Sequence, residues 1–158
     1  IEYRVEPLLA TALRRRTYLA SNVAIAFAGP ALGLLVAGTG MGVVAHLQDS
    51  SVHVGDVLAQ SAATVVGTWV LIALAVAAVG AVPAARVVAW LGIVATFAIT
   101  LLGPTFTLPS WARGISPLFH IPNVTDTAPD WAGLLWLALV IVLLTVVGFV
   151  GYRRRSIV

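Results

Sequence analysis

Apolar residues fill four long runs, about residues 19–45, 57–80, 84–103 and 131–152, and most polar residues fall between or outside them. Each run is close to the ~20 residues that a helix needs to cross ~30 Å of hydrocarbon. The pattern predicts four membrane-spanning helices. The third is the shortest, and Gly103-Pro104 closes it because proline cannot continue the helical ladder. A different pattern precedes the first run. Val5, Leu8, Leu9, Ala12 and Leu13 recur at helical spacing, Pro7 suits a first turn, Glu6 suits the positive end of a helix, and Arg14, Arg15 and Arg16 suit the negative end. A short helix with one apolar stripe and a terminal charge block lies on a membrane surface and does not cross it. Residues 1–18 are therefore predicted to form an amphipathic docking helix, 19–152 the membrane domain and 153–158 a polar tail.

Composition agrees with the pattern. The chain is 60% hydrophobic and 9% charged, with a mean hydropathy of +1.02, far from soluble proteins. The expected fold class is an all-α integral membrane protein. Without cysteine, neither a disulfide framework nor a thiolate metal site can form. All nine basic residues are arginine, and their positions set an orientation. Arg4, Arg14, Arg15, Arg16, Arg86, Arg153, Arg154 and Arg155 fall on one side, whereas Arg113 lies on the other with Asp49, Asp56, Asp126 and Asp130. The positive-inside rule then predicts that both termini are cytoplasmic and that loops 46–56 and 104–130 face outward. Tyr18, Trp90 and Tyr152 would anchor the inner interface, Trp111 and Trp131 the outer one. Ile1 is not an initiator methionine and no signal-like segment follows it, so further residues are expected to precede it.

Loop 104–130 carries Trp111, Ile115, Leu118, Phe119 and Ile121 among its polar residues, and five prolines divide it. So much apolar surface predicts a loop that dips back toward the bilayer or packs on the helix ends, with one or two short helices between about residues 110 and 119. Within the spans, Gly29 with Gly33, and Gly38 with Gly40 and Gly42, would permit close helix contacts. Gln60, Thr64 and Thr68 share a face of the second span, and Thr96 and Thr100 a face of the third. Such groups serve as interhelical hydrogen-bonding sites or as the wall of a substrate path. Trp69, near mid-span, reads as a lipid-facing or packing aromatic and not as a substrate platform.

Several chemistries are excluded or weakened. His46, Asp49, His53 and Asp56 would share one face if residues 46–56 were helical, and imidazole with carboxylate suits a divalent ion. An enzyme or metal-binding membrane protein built on that loop is the rival reading. Ser50-Ser51 and Gly55 favour a solvated turn instead. The three histidines lie outside the spans or at their edges, which disfavours haem ligation. No charged residue sits mid-span, which argues against a proton relay. A GxxxxGK[ST] phosphate loop is impossible without lysine, and the arginines lack the interleaved aromatics of a nucleic-acid surface. Asn123-Val124-Thr125 is a glycosylation sequon by pattern alone.

Three segments carry a family resemblance. Glu6-Pro7-Leu8-Leu9-Ala10-Thr11-Ala12-Leu13-Arg14-Arg15-Arg16 resembles the coupling segment of type 2 ATP-binding-cassette exporter permeases, roughly E-P-L-L-A-T-x-x-S/R-R-R. Ser116-Pro117-Leu118-Phe119-His120-Ile121-Pro122 is similar to the S-P-x-x-H-x-P stretch ahead of the last span of that family, and Gly151-Tyr152-Arg153-Arg154-Arg155-Ser156-Ile157 to its G-F-R-R-R-D-I ending, with Ser156 in place of the acidic residue. The nearest group is the antibiotic-exporter permeases of actinobacteria. The resemblance implies the last four spans of a six-span unit in a bacterial inner membrane, with the other spans or a second half elsewhere. It implies outward movement of hydrophobic or amphipathic small molecules, driven by a nucleotide-binding subunit that holds ATP and Mg. This chain would itself hold no cofactor. Glu6, Leu9, Leu13, Arg14, Arg15 and Arg16 would then contact the ATPase, and Gln60, Thr64, Thr68, Thr96 and Thr100 are the candidates for the substrate path.

Overall fold

The computed structural model describes residues 15–81 and 86–154. Glu6, Leu9, Leu13 and Arg14 of the proposed docking helix lie outside the described residues, as does the tail from Arg155 onward. The described elements are α1 (Arg15–Gln48), α2 (Val54–Ala81), α3 (Arg86–Leu102), α4 (Ser110–Arg113), a 3-10 turn (Pro117–His120) and α5 (Ala132–Arg154). No strand occurs among them. The chain is an all-α membrane protein. Among the described residues α1 begins at Arg15, and α5 runs on to Arg154 beyond the expected limit of the last span.

Three helices, α1, α2 and α5, are long and apolar enough to cross a membrane. The remaining expected span, the third in chain order, is shorter than the others. α3 has 17 described residues, which at ~1.5 Å each give about 25 Å, less than the ~30 Å of a hydrocarbon layer. Its end is chemical: Gly103 N–H still bonds Ile99 O at 2.9 Å, but Pro104 brings no donor and the chain turns through Thr107 at φ 48°. That left-handed φ is unusual for a β-branched residue and marks a strained turn. The loop that follows packs back into the bundle next to α3.

α2 is the central element, packed against α1, α3, α5 and the 3-10 turn. Its buried positions are Ala63, Val65, Gly67, Val70, Ala73, Ala77 and Gly80, five of them alanine or glycine. Small side chains let backbones approach in the absence of a hydrophobic drive between helices. Gly148 lies against the backbone of Val76, where a Cβ would come to 2.6 Å from its carbonyl oxygen, and Gly151 lies against Ala81. Gly80 meets Gly148 backbone to backbone.

The glycines of α1 divide by face. Gly38 packs on Ser61 and Gly42 on Val54, whereas Gly29, Gly33 and Gly40 have open space beside them. At about 100° per residue, Gly42 lies only about 40° from Gly38, while the other three fall about 180–220° away. The expected close contact at Gly29 and Gly33 is therefore absent among the described residues, because they point away from α2. That outer face is apolar, with Leu47 79% and Val36 72% exposed, as suits lipid or neighbouring protein and not water.

Trp69 is a packing aromatic, one of the two readings of its position. Its Nε1–H donates to Phe27 O at 3.0 Å, and its ring meets Phe27 at 5.7 Å and 54°. Pro30 lies in the same turn of α1 and withholds the backbone donor that Ala26 O would otherwise receive. Trp69→Phe should keep the ring contact and lose the hydrogen bond, lowering stability by about 1 kcal/mol in detergent unfolding. An unchanged midpoint would show that the bond is not maintained.

Candidate functional site

The chemistry concentrates where loop 104–130 enters the bundle. Gln60 lies six residues into α2 and holds the loop with both ends of its amide. Its Nε2 donates to Pro122 O at 3.2 Å, and its Oε1 accepts from Val124 N–H at 2.9 Å. The gripped segment is itself a tight turn, in which Asn123 Nδ2 donates to Asp126 and Thr125 Oγ1 donates to Asn123 Oδ1, both at 2.9 Å. Farther along α2, the side chains of Leu118 and Ile121 rest on Gly67, which has no Cβ to exclude them. Gly67 is 13 residues beyond Val54, about 20 Å along the helix axis. The loop is thus inserted well below the helix ends.

The stripe on α2 splits into two kinds of group. Gln60 reaches the loop, whereas Thr64 Oγ1 donates to Gln60 O at 2.8 Å and Thr68 Oγ1 to Thr64 O at 3.1 Å, both within their own helix. Gln60 and Thr64 line a cleft of about 290 Å³ with Leu118, Ile121, Pro122 and Asn123. On α3, Thr96 is buried, and Thr100 shares a 2.9 Å hydrogen bond with the hydroxyl of Ser116, itself only 2% exposed. Thr100 and Ser116 line a second cavity of about 250 Å³ with Ile99, Pro104, Arg113, Leu118 and Phe119. Leu118 borders both spaces.

Arg113 is the residue that sequence reasoning undervalued. The guanidinium carbon lies 5.3 Å from the centroid of Phe119, and Nε is shielded from solvent with no acceptor. An unmet buried donor costs about 1–3 kcal/mol, more when charged. The signal was present in the sequence as the lone arginine on the arginine-poor side, read there only as topology. A further apolar cleft of about 470 Å³ lies between α1 and α5, lined by Phe27, Phe149 and Thr145, whose buried hydroxyl also has no partner.

His46, Asp49, His53 and Asp56 do not share a helical face. The chain leaves α1 after Gln48, turns, and enters α2 at Val54. Asp49 Oδ1 accepts from Ser51 N–H at 2.9 Å, His46 Nδ1 lies 2.7 Å from Val52 O, and His53 Nδ1 lies 3.0 Å from Ser51 O. Hydrogen bonds from the Ser51 hydroxyl and then its backbone N–H hold the Asp49 carboxyl below its usual range. This aspartate-serine turn interrupts the helical period on which the metal reading depended. Among the described residues, no three His, Asp or Glu side chains gather to hold a metal.

Long apolar helices around α2, with an inserted loop and no strand among the described residues, define a polytopic helical membrane domain. Residues 2–153 match the family described as multidrug efflux system permease Rv1217c, C-terminal domain, and the chain belongs to that family. It is 35% identical over 162 residues to the multidrug efflux system permease protein Rv1217c of Mycobacterium tuberculosis, an alignment covering 98% of this chain and 28% of that protein. The chain spans less than a third of the length of this relative. The permease resemblance read from its motifs agrees with this family.

Proposed function

We propose that this chain is the C-terminal bundle of the transmembrane subunit of an ATP-driven exporter that moves hydrophobic or amphipathic small molecules, antibiotics among them, out of the cell. The observation that carries the reading is the match of residues 2–153 to the C-terminal domain of a multidrug efflux permease. In this reading both termini are cytoplasmic, the inserted loop faces outward, and the remaining spans lie elsewhere in the permease. A separate nucleotide-binding subunit binds ATP and Mg and hydrolyses the nucleotide, and this chain does no covalent chemistry. Glu6 and Arg14 to Arg16 meet that subunit, so closure there tilts the helices between inward- and outward-open states. The clefts beside Gln60, Thr64 and Thr100 and the apolar space between α1 and α5 offer surface to a hydrophobic passenger.

The test uses the full permease co-expressed with its ATPase. Glu6→Ala or Arg15→Glu should lower substrate-stimulated ATPase and efflux by about 10-fold, the order expected for one lost charge-assisted hydrogen bond of ~1.5–3 kcal/mol. The amount of permease in the membrane should not change. Full activity in both variants, or a permease that purifies with no ATPase, would remove the coupling role.

A further inference from the structure

We infer that the cavity bounded by Arg113, Ser116 and Thr100 binds the anionic head of an amphiphile, a phosphate or carboxylate attached to an apolar chain. Three independent features converge on this chemistry. The first is charge: among the described residues Arg113 is the one arginine on the loop side of the bundle, and its buried Nε–H meets no acceptor. Phe119 holds the guanidinium by a cation–π contact, which keeps its planar fork in place without neutralising it. That fork suits two oxygens of a carboxylate or phosphate.

The second feature is a spare hydroxyl hydrogen. Thr100 and Ser116 share one hydrogen bond, so whichever oxygen accepts it keeps its own O–H uncommitted at the cavity wall. The third is the division of the lining. Ile99, Pro104, Leu118 and Phe119 supply apolar surface beside these polar groups, as an alkyl chain joined to a charged head requires. The volume of about 250 Å³ is below the ~300–1,000 Å³ of drug-sized sites, so it holds a head and its first carbons and leaves the tail outside. Trp111, 73% exposed two residues before Arg113, suits the head-group layer in which such a molecule lies.

The site stands apart from the ATP-driven reading, because binding needs no second subunit. The test places the full permease in phosphatidylcholine nanodiscs and titrates octyl phosphate and octyl glucoside, which share a tail and differ in charge. Octyl phosphate should bind at least 10-fold more tightly, and Arg113→Gln should abolish that preference. Arg113→Lys should keep part of it, since charge survives and the fork does not. Ser116→Ala tests the same site without touching the arginine, and should weaken octyl phosphate severalfold while leaving octyl glucoside unchanged. Mass spectrometry of the intact permease then identifies the source. One retained phosphatidylglycerol that disappears in Arg113→Gln assigns the site to membrane lipid, and octyl phosphate binding without a retained lipid assigns it to a free amphiphile. Equal affinities for the two probes, or a charge preference that survives both Arg113→Gln and Ser116→Ala, would overturn the site.

Discussion

Replacing Gln60 with leucine should release the inserted loop while the long helices stay formed. The substitution keeps most of the volume and removes both hydrogen bonds, leaving Pro122 O and Val124 N–H without their partner. Each orphaned backbone group costs about 1–3 kcal/mol, so the loop should lose about 2–5 kcal/mol of its attachment. Such a change is large against marginal stability. Hydrogen–deuterium exchange is the direct measurement, and the Val124 amide should exchange orders of magnitude faster than in the parent protein. Gln60→Glu keeps an acceptor for Val124 and loses the donor to Pro122, so its effect should be intermediate. An unchanged Val124 exchange rate in Gln60→Leu would show that Leu118 and Ile121 on Gly67 hold the loop without help.

The second large effect is expected at the α2–α5 crossing. Gly148→Leu drives a side chain into the backbone of Val76, which cannot yield as the tip of a flexible side chain can. Overpacking usually costs about 1–3 kcal/mol and should reach or exceed the top of that range here. Gly33→Leu is the matched control. It lies on the face of α1 turned away from α2 with nothing near it, and helix propensity alone would make it neutral or stabilising by up to about 1 kcal/mol. Thermal unfolding in detergent should therefore move the two variants in opposite directions or leave only Gly148→Leu destabilised. Equal tolerance of both would mean that the helices cross elsewhere.

The long elements were legible because their signal is local. An apolar run of spanning length needs no partner to be recognised, so α1, α2 and α5 follow from residues 19–45, 57–80 and 131–152 with shifts at their ends. Gly103-Pro104 likewise marked the end of α3, and the prolines of the loop left room for the short α4 and the 3-10 turn. What stayed hidden depends on neighbours far along the chain. The partners of Gln60 lie 62 and 64 residues away, and nothing near residue 60 says that its amide will meet a loop. The glycines of α1 were counted by spacing, yet their role depends on which side of the helix α2 occupies. Gly151, which does make a close contact, stood in the sequence only as part of a tail motif, and Gly148 carried no local signal at all. The hydroxyls of Thr64 and Thr68 spend their donors on their own helix, which their spacing alone did not reveal. Arg113 was visible only as an exception to a charge rule until Phe119 and Ser116 were placed around it.

The grip of Gln60 falls on the main chain, at a carbonyl and an amide that nearly every residue type possesses. Retention of the loop is thus indifferent to the side chains at 122 and 124, and only proline at 124 would forfeit the amide. Substitution at those two positions can recast the chemistry the segment presents without breaking either bond, so this fastening is blind to what it fastens.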